Sequence, residues 1–590
     1  MSSKEKERFN FNISRKTFLK SLAIFVAVAC LVGLIVGLVF AFKEGEPGSK
    51  SSLKGAIVSN GVKCASIGEQ IMEDGGSAVD VAISVLFCEG VVVSQSMGIG
   101  GGFLATIYDH KSGKVHSMNA REMAPLSSTE DMFVNVTGSI TGATAAAVPG
   151  EILGYWEMHD KFGVLKWELL IEPTIKLCRN GFPVSTHMRM AMVSSEKRIM
   201  DEPSMREVFV NPKTNKIWEE GDIITRPKLA ETLEIIAKDG ADAFYKGDLG
   251  KRFADDVKAL GGHITMEDLH NYHIKWEVPT VAQLQGKYTA YSSPLPGSGS
   301  VLALILNMMN NLLTNDQNLL WHHIVESFKH GYGLRTHLGD PDFEPEAKEV
   351  FEKMLNPEFA KKLAATKVFD DKTFDDLGYY GGNFSNFEDH GTANMAVLHP
   401  SGDSITVTST VNNYFGAKVR SQSTGIILND QMDDFSTPGK INGFGLHPSP
   451  ANFIKPGKRP LSSMCPSIVL NEKGETVLLV GGAGGSKITT AVAQIVIRYL
   501  FLNQSIVESV QTKRLHHQLA PMVIQHEFGY DESILKSLES RGHKLESGLP
   551  ESGFAALTAI GTRSIDPIPV FDNRRGGSTA IIQMKNKMVH

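Results

Sequence analysis

Residues 388–416, EDHGTANMAVLHPSGDSITVTSTVNNYFG, contain the pattern of a β-hairpin. Two runs rich in strand-forming residues, 393–399 and 404–410, flank a Pro-Ser-Gly-Asp turn at 400–403. We therefore expect two antiparallel strands here, joined by a short turn.

The register of this hairpin decides which side chains meet. If the turn centres between Ser401 and Gly402, the numbers of paired residues sum to about 803. Thr392 then lies opposite Val411, with Thr410 one position away. The two threonine hydroxyls can meet if they lie on the same face of the hairpin. β-propensity alone also explains two threonines in strands, so the pattern leaves that alternative open.

Cleavage of the Gly391-Thr392 bond would turn Thr392 into an activated nucleophile. A threonine hydroxyl is a weak nucleophile that needs a nearby base, and a free α-amine on the same residue can supply it. Cleavage before Thr392 would create this amine, and Gly391 offers the least hindered carbonyl for the hydroxyl to attack. The products would be a large chain ending at Gly391 and a small chain of residues 392–590.

The composition of the 590 residues is that of a globular protein, with 42% hydrophobic and 21% charged residues. This excludes a mainly disordered or fibrous chain. Lys and Arg total 59 and Asp and Glu total 65, a net charge of −6, so we expect no nucleic-acid partner. The five cysteines form no CxxC or Cys/His cluster, so we expect no structural metal.

The N-terminal region has the pattern of a membrane anchor. Residues 21–42 carry no charge over 22 positions, which is about the length of a transmembrane helix. Six basic residues precede this run and favour a cytoplasmic N-terminus. We expect a cytoplasmic tail at 1–20, a signal-anchor helix at 21–42, a polar stalk at 43–53 and an extracellular remainder. The chain would be a type II protein of the plasma membrane, although a cleaved signal peptide is the alternative.

Two further features agree with an extracellular location. Asn135, Asn383 and Asn503 each begin a glycosylation sequon. Cys64 and Cys88 could pair in an oxidising compartment, or they could be two buried free thiols.

The patterns of the exterior part predict an α+β fold. Residues 77–93 read as a capped, buried helix that feeds a strand. Helical stretches follow at 230–238 and 302–313, and a helix is predicted at 489–502. Besides the hairpin, strands are predicted at 468–470 and 476–480. Helices around mostly antiparallel strands, with no clear linker, suggest one layered unit.

Three glycine clusters stand out, at 98–102, 297–299 and 481–485. None completes a P-loop or dinucleotide-binding motif, so nucleotide binding is not expected. The third cluster lies between a predicted strand and a predicted helix, where backbone amides can bind an anion or an oxyanion. On this feature alone, tight packing at a strand-to-helix turn is the favoured explanation of these glycines.

At these residues the chain resembles the γ-glutamyltransferase (glutathione hydrolase) family of N-terminal nucleophile hydrolases. The resemblance covers nearly the whole exterior part, in the order of the family. The matching stretches are SMGIGGG (96–102), NAREMAP (119–125), GTA (391–393), TSTVNNYFG (408–416), QMDDFS (431–436), RPLSSMCP (459–466) and GGAGGSKI (481–488).

The resemblance implies a four-layer αββα sandwich made of two chains, 54–391 and 392–590, which self-cleavage produces and which stay together as a heterodimer. It makes Thr392 the nucleophile, with its new α-amine as general base. Thr410 would orient the nucleophile, and the amides of Gly484 and Gly485 would form the oxyanion hole.

The resemblance also implies a binding site for the γ-glutamyl group. Arg121 would hold its α-carboxylate together with Ser462 and Ser463, because a planar guanidinium suits a carboxylate. Without the resemblance, a solvated surface charge would be the simpler interpretation of this arginine.

Asn412, Gln431 and Asp434 match the positions that hold the α-amino group. Position 431 is Gln here, whereas some members carry Glu. Asp433 is expected outside the site, because adjacent residues on an extended segment point to opposite sides.

The implied reaction is ping-pong acyl transfer. Thr392 takes the γ-glutamyl group of glutathione or a conjugate and passes it to water, an amino acid or a dipeptide, without a metal or organic cofactor. Two alternatives remain: an amidase with another acyl specificity, and an unprocessed, catalytically silent cell-surface homologue. Cys64 and Cys88 match a family disulfide, which leaves Cys178 and Cys465 unpaired and buried.

Overall fold

The structure is a computed structural model that describes residues 54–134, 138–384, 391–440, 447–546, 548–550, 553–564 and 566–583. The expected tail, anchor and stalk at 1–53 and the sequon residue Asn135 lie outside these ranges. Within them, no helix combines the length and apolar character that crossing a bilayer requires.

The described residues form nineteen strands. They are β1 (Gly55–Ser59), β2 (Gly102–Asp109), β3 (Lys114–Ala120), β4 (Phe182–Pro183), β5 (Val210–Asn211), β6 (Lys216–Ile217), β7 (Ile223–Ile224), β8 (Lys275–Glu277), β9 (Thr280–Leu284), β10 (Tyr288–Ser292), β11 (Ala393–Leu398), β12 (Ser404–Thr410), β13 (Ser467–Leu470), β14 (Thr476–Ala483), β15 (Leu515–His516), β16 (Gln525–His526), β17 (Ala556–Gly561), β18 (Ile568–Phe571) and β19 (Ser578–Ile582).

They also form eighteen α-helices. These are α1 (Cys64–Glu73), α2 (Ala78–Val92), α3 (Glu151–Phe162), α4 (Trp167–Asn180), α5 (Thr186–Ser194), α6 (Glu196–Asp201), α7 (Pro203–Phe209), α8 (Pro227–Asp239), α9 (Asp242–Tyr245), α10 (Asp248–Ala259), α11 (Met266–Asn271), α12 (Gly299–Leu312), α13 (Gln317–Arg335), α14 (Pro345–Leu355), α15 (Pro357–Lys367), α16 (Lys487–Val496), α17 (Ile506–Gln511) and α18 (Glu532–Ser540).

Two antiparallel sheets form the centre of the fold. One has the strand order β19-β1-β11-β12-β2-β3-β8 and the other β18-β17-β14-β13-β10-β9. The two sheets pack face to face through β11, β12, β14 and β17. Helices α1, α2 and α3 cover the first sheet, and α12 and α16 cover the second. The described chain therefore has a mixed α/β fold, as predicted, with helical layers outside two sheets.

Alternation along the strands explains this layering, because successive side chains of a strand point to opposite faces. In β11, Met395 and Val397 belong to the core beneath the helices. Ala396 and Leu398 belong to the core between the sheets. Both faces of this strand are buried, which explains its nearly continuous apolar sequence.

The helix predicted within residues 77–93 is confirmed, but the strand expected to follow it directly is not, because α2 continues to Val92 and the next strand, β2, begins at Gly102. Helix α2 begins after Ser77, whose hydroxyl accepts a hydrogen bond from the Asp80 amide at 3.1 Å, while the Asp80 carboxylate accepts one from the Ser77 amide at 2.9 Å. This capping box fixes the start of the helix. A disulfide joins Cys64 on α1 to Cys88 on α2.

The other cysteines within the described residues are Cys178 and Cys465, and both are free and buried.

The hairpin forms, but its register differs from the prediction by one residue. Ala393 pairs with Ser409, so the paired numbers sum to 802. The turn centres on Ser401 because Gly402 adopts φ 95°, which allows a three-residue loop closed by the bond from the His399 amide to the Asp403 carbonyl. Continuing this register by one residue sets Thr392 opposite Thr410.

The third glycine cluster also differs from its prediction. The strand expected to end at Val480 continues to Ala483 as β14. Gly481 packs against Asn394 so closely that a Cβ atom would lie 2.1 Å from the side-chain oxygen. The predicted helix at 489–502 begins earlier, at Lys487, and changes to a π-helix over Ile497–Phe501.

Candidate active site

The two threonines of the hairpin lie together at its open end. The Thr392 hydroxyl donates a hydrogen bond to the Thr410 hydroxyl at 3.1 Å. Thr410 Oγ1 also accepts a hydrogen bond from the Asn412 amide at 2.8 Å. Both side chains are buried, and Thr392 is only 3% exposed. The arrangement holds the Thr392 hydroxyl in one direction, as a nucleophile requires.

The backbone at the Gly391-Thr392 bond is strained. Thr392 has φ 136°, a conformation that costs free energy for a β-branched residue. At Gly391 a Cβ atom would lie 1.9 Å from the carbonyl oxygen of Asn412, so only glycine fits there. Arg575 Nη1 holds the other side of Thr392, donating a hydrogen bond to its carbonyl at 3.2 Å.

Gly484 and Gly485 form the turn between β14 and α16. Gly484 has φ 133° and Gly485 has φ 60°, conformations that favour glycine. A Cβ atom on Gly484 would also lie 2.6 Å from Ala555 Cα. Among the described residues, the amides of both glycines lack a hydrogen-bond partner. They are therefore available as donors to an anion.

Arg121 follows β3 and is buried, with 1% of its surface exposed. Its Nη2 atom donates a short hydrogen bond to the Asp434 carboxylate, and its Nη1 atom lies 3.5 Å from Glu122 Oε2. It also donates to the carbonyls of Pro460 and Leu461, immediately before Ser462, each at 3.4 Å. The interpretation of Arg121 as a solvated surface charge is therefore wrong.

Ser462 and Ser463 are buried in a segment that neighbouring loops hold in place. The Ser462 amide donates to the Pro296 carbonyl at 2.8 Å, and the Ser298 hydroxyl donates to the Ser462 carbonyl at 2.7 Å. The second glycine cluster therefore supports this segment. Arg335 Nη2 donates to the Ser463 hydroxyl oxygen at 3.0 Å.

Gln431 contacts Asp434 directly, whereas Asn412 contacts the backbone of the residue before Gln431. The Gln431 Nε2 atom donates to Asp434 Oδ2 at 2.6 Å, and Asn412 Nδ2 donates to the Asp430 carbonyl at 3.0 Å. Within the described residues, Asn412 Oδ1 and Gln431 Oε1 are buried and have no donor. Two unpaired acceptors and a carboxylate suit an ammonium group, which offers three donors.

The reason predicted for the exclusion of Asp433 is wrong. Residues Gln431–Asp434 form a 3₁₀ turn, not an extended segment. Residues three apart share a face of such a turn, so Gln431 and Asp434 meet and Asp433 does not join them. Burial raises the pKa of the Asp433 carboxyl, which also accepts a hydrogen bond from Ser139.

The sequence did not predict four buried or half-buried charged residues near these site residues, namely Glu122, Asp430, Arg335 and Arg575. Burial raises the pKa of Glu122 to about 7, although the charge of Arg121 opposes this, and within the described residues neither carboxylate oxygen of Glu122 has a hydrogen-bond donor. Burial also raises the pKa of Asp430 to about 7. Glu122 follows Arg121 directly in the NAREMAP stretch and could have been noticed; Arg335 and Arg575 carry no comparable signal.

Two of the predicted sequon residues are described, and both Asn383 and Asn503 are exposed. Exposure is compatible with glycosylation and does not test it.

One group of possible metal ligands occurs among the described residues, formed by His322, Glu326 and His543. His322 Nδ1 lies 2.8 Å from His543 Nε2, so the two imidazoles share a hydrogen bond. Glu326 already accepts hydrogen bonds from Thr373 and Tyr380, and Lys329 Nζ lies 3.4 Å from its Oε1 atom. A cation would therefore meet a carboxylate whose charge a buried lysine balances.

Comparison with known proteins identifies the family. The model of the gamma-glutamyltranspeptidase family matches residues 64–582. Similar relatives include Scoloptoxin SSD14 of Scolopendra dehaani, 40% identical over 93% of this chain and 97% of that protein. Glutathione hydrolase 2 of Arabidopsis thaliana is 38% identical over 83% of this chain and 86% of its own length. Glutathione hydrolase 5 proenzyme of Rattus norvegicus is 33% identical over 86% of this chain and 89% of its own length.

The fold has solved counterparts as well. Cephalosporin acylase from Bacillus halodurans superposes with a TM-score of 0.77, covering 90% of this chain and 96% of that structure at 20% identity. At this identity the likeness concerns the fold alone. Because the family model matches most of the chain and these relatives are similar over most of their length, the chain belongs to the gamma-glutamyltranspeptidase family.

Proposed function

We propose that this protein is a membrane-anchored γ-glutamyltransferase that cleaves the γ-glutamyl amide bond of glutathione and its conjugates. One observation carries the proposal. The buried guanidinium of Arg121 pairs with the partly buried carboxylate of Asp434, which also contacts Gln431, and the side-chain oxygens of Gln431 and of nearby Asn412 have no donor among the described residues. This set fits the carboxylate and the ammonium of a free α-amino acid, which a γ-glutamyl group retains.

The ion pair indicates how such a substrate would bind. The α-carboxylate of the substrate would pair with the guanidinium of Arg121, and the α-ammonium of the substrate would pair with the carboxylate of Asp434. The substrate zwitterion thus replaces one partly buried ion pair with two, so neither protein charge is left without a counterion. An acyl group without both charges would leave one of them unpaired. This argues against an amidase of another acyl specificity.

Self-cleavage would generate the nucleophile. The Thr392 hydroxyl attacks the Gly391 carbonyl carbon, the peptide nitrogen leaves as the α-amine of Thr392, and an ester joins the two parts. Water then hydrolyses this ester, leaving a carboxylate on Gly391 and a free hydroxyl on Thr392. The strained φ of Thr392 and the tight fit of Gly391 against Asn412 support this step, because cleavage relieves the strain.

In the mature enzyme the α-amine of Thr392 would accept the hydroxyl proton while Oγ1 attacks the γ-carbonyl carbon. The amides of Gly484 and Gly485 would donate to the oxyanion. The protonated amine then gives its proton to the leaving amine, and a γ-glutamyl ester remains on Thr392. Water, an amino acid or a dipeptide would release the acyl group in the second half of the reaction.

The proposed location is the outer face of the plasma membrane, as a type II protein. It is supported by the uncharged run at 21–42 with basic residues before it, by the Cys64–Cys88 disulfide and by the exposed residues Asn383 and Asn503. Expression of the tagged full chain in cells, followed by protease protection on intact cells, tests the orientation. Digestion of the C-terminal part from outside is expected.

The test of the activity begins with the full chain, purified in detergent and deglycosylated. Denaturing electrophoresis should show two chains, the smaller beginning Thr392-Ala393-Asn394, whereas Thr392→Ala should remain one chain. The active protein should release p-nitroaniline from γ-glutamyl-p-nitroanilide. It should be at least about a hundredfold slower on the glutaryl analogue, which lacks the α-amine. A single intact wild-type chain without activity would indicate the silent homologue.

A further inference from the structure

A second buried arginine lies at the serine pair. Arg335 is the last residue of α13 and is 7% exposed. Its Nη2 atom donates a hydrogen bond to Ser463 Oγ at 3.0 Å. On the backbone side, the Ser463 carbonyl accepts a hydrogen bond from the Thr489 hydroxyl at 3.1 Å. Two separate helices, α13 and α16, therefore fix both polar ends of this one serine.

The arginine decides which role the serine hydroxyl can take. A guanidinium has donors and no acceptor, so Ser463 Oγ must be the acceptor of this bond. The hydroxyl hydrogen of Ser463 is then left to donate elsewhere. Within the described residues it has no acceptor. A serine whose oxygen is held by a cation is also a stronger donor, because the bond polarises the hydroxyl group.

The same turn of α13 also contacts the glycine turn. The Tyr332 hydroxyl, three residues before Arg335, donates a short hydrogen bond to the carbonyl of Ser486, which follows Gly484 and Gly485. Residues three apart lie on the same face of a helix. The end of α13 therefore supports two loops at once, one through Tyr332 and the other through Arg335.

We infer that Arg335 is a positioning residue that orients the Ser463 hydroxyl as a donor to the α-carboxylate of the substrate. This inference rests on the proposed function. It assigns to Arg335 a role in recognising the carboxylate through Ser463, whereas Arg121 would contact that carboxylate directly. A merely structural arginine would affect all substrates alike, whereas the effect of Arg335 should depend on both Ser463 and the substrate carboxylate.

The experiment compares two substrates of the detergent-purified full chain, with rates expressed per cleaved Thr392 chain. One is γ-glutamyl-p-nitroanilide and the other is 4-aminobutanoyl-p-nitroanilide, which lacks the α-carboxylate. Arg335→Gln should raise KM for the first substrate about tenfold or more, with a smaller change in kcat, and should leave kcat/KM for the second substrate near that of the wild type.

Ser463→Ala and the double variant Arg335→Gln/Ser463→Ala complete a double-mutant cycle, which measures whether the two residues act through each other. In the Ser463→Ala background, Arg335→Gln should cause no further loss on γ-glutamyl-p-nitroanilide. Tyr332→Phe is the matched control, since it removes one hydrogen bond from the same helix turn without touching Ser463; any loss should be equal for both substrates. If Arg335→Gln does not fold, Arg335→Lys replaces it, with a smaller rise in KM confined to the first substrate.

Equal losses on both substrates, or a full Arg335 effect without the Ser463 hydroxyl, would overturn the inference. Failure of the proposed function looks different, because the wild-type protein itself would then not hydrolyse γ-glutamyl-p-nitroanilide.

Discussion

The hydroxyl of Thr392 lies 3.1 Å from the hydroxyl of Thr410, at the open end of the hairpin formed by β11 and β12. The Thr410 hydroxyl also accepts a hydrogen bond from the backbone amide of Asn412, two residues further along the chain. Thr410 therefore connects the proposed nucleophile to the segment that carries the unpaired Asn412 oxygen. Loss of this one hydroxyl should disturb orientation without changing the shape of the strand.

Thr410→Val tests this relationship, because valine keeps the shape and removes the hydroxyl. We expect kcat/KM for γ-glutamyl-p-nitroanilide to fall about 10- to 100-fold and self-cleavage to slow, since one orienting hydrogen bond is lost. Thr406→Val is the control: Thr406 donates to the Met395 carbonyl in the same hairpin and does not contact Thr392. Similar losses in both variants would assign the effect to strand stability.

Gly391→Ala should block self-cleavage. The added Cβ atom would lie 1.9 Å from the Asn412 carbonyl oxygen, so the scissile peptide must move. We expect a chain that remains intact on denaturing gels for days when the wild type is fully cleaved. Gly378→Ala is a suitable control, since its Cβ atom would have only ordinary contacts, the nearest at 3.4 Å. Normal cleavage of Gly391→Ala would show that the fit at this glycine is irrelevant.

Asp434→Asn and Asp433→Asn should differ strongly although the residues are adjacent. Asp434 contacts Arg121 and Gln431, and its loss leaves a buried guanidinium without this counterion. We expect kcat/KM for the γ-glutamyl anilide to fall about a hundredfold in Asp434→Asn and much less in Asp433→Asn. Steady-state kinetics at several substrate concentrations provide the measurement; a reversed order would contradict the proposed site.

The buried carboxyl of Glu151 predicts a pH dependence of stability. Burial raises its pKa from 4.5 to about 8, although hydrogen bonds from Ser409 and Tyr155 oppose this. The folded protein then binds more protons than the unfolded chain between these values, so this group lowers the free energy of unfolding as the pH rises from about 4.5 to 8.

The measurement is denaturant unfolding of the uncleaved Thr392→Ala chain at pH 5 and pH 8. Glu151→Gln should reduce the loss of stability between these pH values by about 3 kcal/mol, because the amide does not ionise. Glu532→Gln, at an exposed position on α18, should leave the loss unchanged. An unaltered pH dependence in Glu151→Gln would mean that this carboxyl ionises normally.

Local patterns in the sequence were sufficient for several elements. The Ser77 capping box, the two strands around the 400–403 turn and the mixed α/β class follow from neighbouring residues, whose hydrogen bonds and alternation are short-range. The motifs around Arg121, Thr392 and Gly484 also led to the family, which the comparisons confirm. The roles of the individual site residues remain predictions.

Register and turn geometry depended on finer detail. The hairpin is one residue out of its predicted register because Gly402 adopts a left-handed conformation, which allows a three-residue loop. The local sequence does not show which loop length forms. Residues Gln431–Asp434 form a 3₁₀ turn where an extended segment is predicted, because four residues between loops carry too little periodicity to reveal their conformation.

The sequence by itself determined which chemical groups this protein possesses and the order in which short elements present them. Only the tertiary structure decided that Arg335 meets Ser463, 128 positions away, and that Arg575 meets Thr392, 183 positions away. Such contacts arise where two sheets and their covering helices pack together. The burial and the pKa of each polar group then depend on neighbours that are distant in the chain, and no local pattern encodes them.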